Sequence, residues 1–117
     1  MSITRVMAVV TVRDFDDGIA WYERLFGRPA DQRPMDGLAE WHRTESGAVQ
    51  VVHDAQRGGR ALATIGVDDL DGLIAELAER DINVGDVIEG VIDRITSVED
   101  PEGNVITLAE AYDADGG

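Results

Sequence analysis

Few side chains in this sequence are of the types that carry catalysis or bind metals. The chain has no cysteine, and all ten of its basic residues are arginine. Thiolate chemistry and lysine Schiff bases are therefore excluded. The candidates for acid–base chemistry are His42, His53 and Glu40, which lie in segments predicted to be strands. None of the three lies in a recognisable catalytic motif, and we interpret each histidine as a surface or cavity-rim residue rather than a metal ligand.

The composition predicts one soluble domain with an acidic surface. The 117 residues include 24 acidic against ten basic side chains, which gives a net charge of −14, and 44% of the residues are hydrophobic. Such a charge repels phosphate backbones and anionic lipids, so we expect neither nucleic acid nor membrane as a partner. No apolar run approaches the length of a membrane span, and the N-terminus lacks the layout of a signal peptide, so a cytoplasmic location is expected.

The elements that must position these side chains begin with a strand and a helix. Residues 4–12 are rich in β-branched residues, and after Asp14 the apolar period changes from two to about 3.6. Asp14 is a good N-cap, and Gly27 with Pro29 ends the helix. One stripe of this helix is expected to pack on a sheet through Phe15, Ile19, Tyr22 and Phe26.

The rest of the first half predicts two more strands after a polar connection. Residues 30–37 are polar and contain proline, so they are interpreted as the connection. Residues 38–44 and 48–53 are predicted to be strands on either side of a turn. Residues 54–60 hold paired glycines without apolar periodicity, and they are predicted to link two halves.

The second half repeats the first. Val12-Arg13-Asp14-Phe15-Asp16 matches Val67-Asp68-Asp69-Leu70-Asp71, and Gly47-Ala48-Val49 matches Gly103-Asn104-Val105 at nearly the same offset. Agreement at both ends of the unit favours two tandem βαβββ units, about 4–54 and about 60–110, within a single domain of residues 1–112. Residues 113–117 are predicted to form a flexible acidic tail.

A strongly specified turn lies near the end of the second unit, at Asp100-Pro101-Glu102-Gly103-Asn104. Proline presets φ for the second position of a β-turn, and glycine and asparagine tolerate positive φ. The turn predicts flanking strands at residues 91–98 and 105–109.

These motifs together resemble the vicinal oxygen chelate superfamily, which includes glyoxalase I, extradiol dioxygenases and bleomycin-binding resistance proteins. The resemblance rests on Val-Arg-Asp, Ala-Trp-Tyr and Leu-Phe-Gly in the first half and on Asp-Pro-Glu-Gly-Asn near the end, and it extends from about Val6 to Glu110. It implies an α+β, glyoxalase-like fold in which two tandem βαβββ units form a cupped mixed sheet with helices on the outer face.

The resemblance also implies where a metal would be bound. Metal-dependent members hold a divalent ion with His, Gln or Glu from four strands. The matching positions here are Met7, Leu62 and Thr107, with Val51 or, after a one-residue register shift, Gln50. Methionine, leucine and threonine are poor ligands for such a metal. No metal and no other cofactor is therefore expected.

Alternation along the strands predicts what lines the cup. If Met7 faces inward, so do Val9 and Thr11, and by the repeat so do Leu62, Thr64 and Gly66. The full candidate cavity comprises Met7, Val9, Thr11, Trp41, Gln50, Leu62, Thr64, Arg94 and Thr107. The alternative is that these side chains simply fill a small core.

Two members of this set have alternative interpretations. Trp41 either stacks on an aromatic ligand or packs against a helix or a partner subunit. Arg94 either anchors a ligand carboxylate or offsets the charges of Asp93 and Glu99.

Three functions are consistent with the sequence. The leading hypothesis is a metal-free homodimer that binds a small organic molecule, in which case the protein is not an enzyme. A second is a metal-dependent lyase, isomerase or dioxygenase with atypical ligands such as Gln50, His42 and His53. A third is an interaction or regulatory module without a small ligand.

Overall fold

The computed structural model describes residues 6–42 and 47–112. The first unit contains β1 (Val6–Val12), α1 (Phe15–Phe26), β2 (Gln32–Met35), β3 (Leu38–His42) and β4 (Gly47–His53). The second contains β5 (Leu62–Gly66), α2 (Leu70–Glu79), β6 (Ile88–Glu89), β7 (Asp93–Glu99) and β8 (Val105–Ala111). The predicted tail at 113–117 and the predicted strand start at residue 4 lie outside the described residues.

The strands form two four-stranded sheets with the same topology. Their strand orders are β1-β4-β3-β2 and β5-β8-β7-β6. In each sheet the first pair is parallel and the other two pairs are antiparallel. This arrangement confirms the α+β fold class with two tandem βαβββ units. Neither helix within the described ranges is long and apolar enough to cross a membrane.

Helix α1 begins and ends where its local sequence predicts. The Asp14 side chain accepts a hydrogen bond from the Asp17 N–H, and Gly27 adopts a left-handed conformation with φ of 75°. Ile19 and Tyr22 are buried, as the stripe predicts, whereas Phe15 and Phe26 are half-buried. Trp21 and Leu25 are buried as well, so the helix buries a wider face than the predicted stripe.

Helix α2 is also capped by an aspartate at its N-terminus. The Asp69 carboxylate accepts from the Gly72 N–H at 3.0 Å, and the Leu70 N–H donates to Glu110 Oε1 at 2.8 Å. The second bond connects the helix to β8 because Glu110 lies on that strand. Leu70 and Leu77 are fully buried, and they fix the helix on the second sheet.

Short edge strands account for most differences from the predicted elements. The connection expected at residues 30–37 contains β2, which pairs with β3 in an irregular register. Strand β7 starts at Asp93, since the Gly90 N–H donates to the Asp93 carbonyl and closes a hairpin turn with β6. Val91 and Ile92 therefore lie in the turn and are highly exposed.

The two faces of each sheet have opposite environments. On one face, alternate strand residues join both helices in a single hydrophobic core that includes Val10, Val51, Ile106 and Leu108. We call this the core face. The face that points away from the helices is the open face, and much of it is accessible to solvent.

The turn at residues 100–104 connects the two units. The buried Asp100 carboxylate accepts from the Tyr22 hydroxyl at 2.9 Å, the Glu102 N–H at 2.8 Å, and the Asn104 N–H and Nδ2 at 2.9 and 2.6 Å. Burial, followed by the charge of Asp100, raises the pKa of Tyr22 well above its usual range. The phenol therefore stays protonated and keeps donating to Asp100.

Two side chains of the turn bind the first unit, and one of them also binds the residue before β5. Asn104 Nδ2 donates to the Thr11 carbonyl at 2.8 Å, and Asn104 Oδ1 accepts from the Ala61 N–H at 2.7 Å. The Glu102 carboxylate accepts from the N–H groups of Arg13 and Asp14 at 2.6 and 2.7 Å. The turn thus fastens the end of β1 and the start of α1 to the second sheet.

Candidate functional site

The open face of the first sheet carries most of the predicted cavity residues of this unit. Strand register places Met7 beside Ala48, Val9 beside Gln50, and Gln50 beside Glu40. Paired residues of neighbouring strands point to the same face. Val51 lies on the core face and is fully buried, so Gln50 is the β4 residue that faces the same way as Met7 and Val9.

A polar cluster occupies the centre of this open face. Glu40 Oε1 lies 3.0 Å from His42 Nε2, and Glu40 Oε2 accepts from Gln50 Nε2 at 2.8 Å. We call Glu40, His42 and Gln50 the Glu40 cluster. Glu40 is only 6% exposed, and a carboxylate in such a position must be hydrogen-bonded. The cluster therefore holds three polar side chains in defined orientations.

Backbone contacts hold His42 at the end of β3. Arg28 donates to the His42 carbonyl at 2.7 Å, and Asp31 accepts from the His42 N–H at 2.7 Å. Arg28 and Asp31 also form an ion pair with each other at 2.8 Å. These contacts come from the connection after α1, so the loop positions the histidine backbone while Glu40 positions its ring.

The open face of the second sheet is lined by hydroxyl groups instead. Thr64 pairs with Thr107, and Thr107 pairs with Ser97, so the three lie side by side across β5, β8 and β7. We call them the hydroxyl row. Leu62 lies on the same face and is 81% exposed. The two open faces therefore differ in chemistry although their sheets share one topology.

Thr11 has a structural role at the edge of the first open face. Its hydroxyl donates to the Arg57 carbonyl at 2.7 Å, and its own carbonyl accepts from the Gly59 N–H at 3.1 Å. Both partners belong to the linker between the units. The Thr11 side chain is thus committed to holding the linker against β1.

The predicted place of Trp41 in the cavity is wrong. Its side chain is fully buried on the core face, with its ring 5.4 Å from Phe26 and 6.4 Å from Tyr22. The indole Nε1 donates to the Arg28 carbonyl at 2.9 Å. Because side chains alternate along β3, Trp41 points to the face opposite to that of Glu40 and His42. Trp41 therefore packs on helix α1 and does not line the open face.

Arg94 also lies on the wrong face for the predicted role. Its guanidinium donates to the Asp71 carboxylate at 3.1 and 3.3 Å, and it lies 3.6 and 3.7 Å from Glu89 and Glu110. Asp71 is the main cause of a raised Arg94 pKa. Arg94 is therefore an ion-pairing residue between α2 and β7, and its partners are not the expected Asp93 and Glu99.

The residues at the family's metal positions do not fit a divalent cation. Met7, Leu62 and Thr107 offer a thioether, an alkyl group and a hydroxyl, and the Gln50 amide nitrogen is engaged with Glu40. His53 lies at the exposed end of β4 on the face opposite to Gln50. Across residues 6–42 and 47–112, no three His, Cys, Asp or Glu side chains are grouped to hold a metal ion.

A cleft of about 1100 Å³ lies between the two units, apart from the Glu40 cluster. Its walls are mainly apolar and come from the ends of β1, β4 and α1 in one unit and from β5 and α2 in the other. Of the predicted cavity residues, only Thr64 lines it. Sequence alternation does not reveal such a cleft because it arises from the relative placement of two units.

One signal in the sequence does point to the Glu40 cluster. Glu40 and His42 are two residues apart on a predicted strand, so they share a face, and the apolar Trp41 between them faces the other way. If the tryptophan is assigned to the core, the two polar residues are assigned to the open face. Their connection to Gln50 depends on the pairing of β3 with β4, which the sequence leaves open.

The chain belongs to the glyoxalase/bleomycin resistance protein/dioxygenase superfamily, whose family model matches residues 3–108. The resemblance in the sequence motifs is therefore confirmed. No curated protein sequence is significantly similar to the chain.

Several solved structures share this fold over nearly their whole length. A glyoxalase/bleomycin resistance protein from Catenulispora acidiphila DSM 44928 is 28% identical, with a TM-score of 0.86 over 92% of this chain and 98% of that one. TnmS3, an antibiotic-binding protein from Streptomyces sp. CB03234, is 22% identical, with a TM-score of 0.81 over 96% and 99%. A bleomycin-binding protein from Streptomyces verticillus, solved with copper(II)-bleomycin, is 20% identical, with a TM-score of 0.79 over 96% and 99%.

Proposed function

We propose that this protein binds a small organic molecule on the open faces of its sheets and that it does so without a metal. The observation that carries the proposal is the composition of the first open face. Exposed apolar side chains of Met7 and Val9 lie on the same face as the hydrogen-bonded Glu40 cluster, in which Glu40 itself is buried. A largely apolar surface with a few fixed polar groups is typical of small-molecule sites.

The solved relatives support this class of function. Two of the similar structures are an antibiotic-binding protein and a bleomycin-binding protein. Their TM-scores of 0.81 and 0.79 establish the shared fold at only 22% and 20% identity, and the choice of ligand for this chain rests on its own side chains. We therefore propose that the protein binds a small organic molecule and that its activity is to sequester this ligand.

A ligand screen by thermal shift tests binding directly. The panel contains metal-free bleomycin and planar aromatic compounds of graded polarity. A true ligand raises the melting temperature, and the rise grows with the logarithm of the ratio of ligand concentration to dissociation constant. Val9→Gln is expected to weaken binding, whereas the matched surface change Val87→Gln is not. If no compound stabilises the fold, the binding proposal fails and an interaction module without a small ligand becomes the better account.

A metal measurement tests the second part of the proposal. The protein is purified, incubated separately with Ni, Zn, Mn and Fe(II), and dialysed before its metal content is measured. We expect less than stoichiometric metal and no rise in melting temperature. Stoichiometric, stabilising metal would contradict the metal-free proposal and revive the lyase, isomerase or dioxygenase alternative. His42→Ala and His53→Ala would then show which histidine holds the ion.

We also propose that the protein is a homodimer in which the open face of one unit is covered by the other unit of a second copy. Support comes from exposed apolar side chains: Val9 and Leu62 on the two open faces are 49% and 81% exposed, and Val91 and Ile92 in the turn between β6 and β7 are 96% and 74% exposed. Monomeric proteins rarely leave such surfaces uncovered. A two-fold axis that pairs unit one of each copy with unit two of the other would cover both open faces of each copy.

Light scattering after size exclusion tests the dimer. The wild type is expected to elute as a dimer, and the double change Val91→Asp and Ile92→Asp is expected to shift it towards monomer. Gln56→Asp adds charge at another exposed site and serves as the control. A monomeric wild type at micromolar concentration would overturn the assignment.

A further inference from the structure

The Glu40 carboxylate determines how its two neighbours are oriented. Both of its oxygens are engaged, one with His42 Nε2 at 3.0 Å and the other with Gln50 Nε2 at 2.8 Å. An ionised carboxylate can only accept hydrogen bonds, so each partner must donate. When Glu40 is ionised and His42 is neutral, His42 must therefore carry its proton on Nε2, and Gln50 must turn its amide nitrogen towards Glu40.

The remaining heteroatom of each neighbour is then an acceptor. A neutral imidazole protonated on Nε2 has a lone pair on Nδ1, and an amide that points its nitrogen at Glu40 presents its oxygen elsewhere. The His42 side chain keeps 32% of its surface exposed, and Gln50 is half-buried. Buried Glu40 thus converts two ambivalent side chains into two acceptors of fixed identity.

We propose that His42 Nδ1 and Gln50 Oε1, fixed by Glu40, select ligands that present paired N–H donors, such as amidines and primary amides. The inference rests on the proposed small-molecule function and names the ligand chemistry of that site. Glu40 is a positioning residue here, and His42 with Gln50 are the residues that contact the ligand.

The charges around the open faces agree with a donor-bearing ligand. On the described strands, the open faces carry the carboxylates of Glu40, Asp93 and Glu99 but no arginine. The strand arginines point the other way: Arg33 lies 3.7 Å from Glu23, and Arg94 pairs with Asp71. An anionic ligand would therefore meet no fixed cation on these strand faces, and a donor-rich ligand would meet a favourable field.

The apolar surroundings define the rest of the ligand. Val9 lies directly beside Gln50 in the strand register, and Met7 precedes it on the same face. Both side chains are exposed, so they offer an apolar surface next to the two acceptors. A flat aromatic ring that carries an amidine, as in benzamidine, is the smallest probe that matches both features.

The orientation imposed by Glu40 is testable without any ligand. At about pH 9, where an ordinary imidazole is neutral, ¹⁵N chemical shifts of the ring nitrogens report the tautomer. We expect His42 to be in the Nε2–H form in the wild type and in a mixture of both forms in Glu40→Gln. His53, which has no side-chain hydrogen bond to Glu40, serves as the internal reference. An Nδ1–H or mixed His42 in the wild type would overturn the inference.

A set of matched probes tests selection. Benzamidine, benzoate and benzyltrimethylammonium share a benzene ring, but only benzamidine carries paired N–H donors, and the quaternary ammonium keeps the positive charge without them. Binding is followed by NMR through the side-chain signals of His42 and Gln50. One hydrogen bond commonly changes affinity by a factor of roughly five, so benzamidine is expected to bind at least about five-fold more tightly than either control probe.

The variant Glu40→Gln is expected to remove this preference, whereas Glu79→Gln, which removes the same charge from an exposed helix position, is expected to keep it. Equal binding of benzamidine and benzyltrimethylammonium would show charge attraction alone and would refute the inference. Absence of benzamidine binding would refute it as well. If benzamidine fails to bind but the thermal screen finds another ligand of the open face, the proposed small-molecule function still holds. If no compound binds, both the donor selectivity and the small-molecule function are refuted.

Discussion

Replacing Asn104 by alanine should weaken the connection that the turn makes between β1 and the second unit. The Asn104 side chain is fully buried. It donates to the Thr11 carbonyl at 2.8 Å and to Asp100 Oδ2 at 2.6 Å, and it accepts from the Ala61 N–H at 2.7 Å. These three groups belong to β1, to the turn and to the residue before β5. One amide therefore joins three segments that are distant in sequence.

The expected loss follows from these three bonds. A hydrogen bond contributes about 1 kcal/mol net, and more when its loss leaves a buried partner unsatisfied. Asn104→Ala removes all three bonds and leaves the Ala61 N–H without a partner, whereas the Thr11 carbonyl keeps its bond from Gly59 and Asp100 Oδ2 keeps its bond from Tyr22. We therefore expect the free energy of unfolding to fall by about 3 kcal/mol. In a chain of this size, such a loss lowers the melting temperature by about 10 °C.

Urea denaturation measured by fluorescence and by circular dichroism is the appropriate assay, because two probes also report whether the units unfold together. Asn83→Ala removes the same side chain from an exposed loop position, and it is expected to change stability by less than about 0.5 kcal/mol. A loss below about 1 kcal/mol for Asn104→Ala would refute the reasoning, since each of the three buried bonds would then contribute almost nothing.

Three further outcomes are expected. Burial and a neighbouring carboxylate raise the pKa of Tyr22, so the unfolded chain releases this proton near pH 10 while the folded chain retains it. Stability should fall as pH rises above about 10, and urea titrations of Tyr22→Phe should show a smaller fall. Gly59 has φ of 82°, and an added Cβ would collide with the Glu102 carbonyl oxygen, so Gly59→Ala should cost about 2 kcal/mol or more in urea denaturation. Gly85→Ala, whose added Cβ makes only an ordinary contact, is its control, and equal losses would contradict the collision. Arg94→Gln should leave the affinity for an open-face ligand unchanged within about two-fold in thermal titrations, because Arg94 lies on the core face, and a larger loss would place it at the site.

Local physical chemistry made most of the fold predictable. Asp14 and Asp69 cap helices because their side chains satisfy free N–H groups, and Gly27 ends α1 because it accepts a left-handed conformation. These effects act within a few residues, so the sequence contains them. Strands β2 and β6 were less predictable because they are short edge strands that owe their form to pairing with β3 and β7.

The side chains of the candidate site were harder to place because the phase of each strand depends on its neighbours. Alternation groups Met7 with Val9, but it does not state which face the group occupies. The capacity of Trp41 to stack predicts a place in the cavity, whereas its burial against Phe26 places it on the core face. The charge of Arg94 predicts a ligand anchor, but its main partner Asp71 lies on a helix that sequence spacing does not bring near it.

The repeat in the sequence conceals a chemical difference between the two open faces. The first presents acceptors around Glu40, and the second presents the hydroxyl row of Thr64, Thr107 and Ser97. In the proposed dimer, each site combines one face of each kind, because a two-fold axis pairs the first unit of one copy with the second unit of the other. The acceptors would bind the donor end of a ligand, and the hydroxyls, which can donate or accept, would bind its other end. A symmetric dimer would thus hold an asymmetric molecule in one orientation. Polar side chains on the open faces, and not a bound metal, would define that orientation.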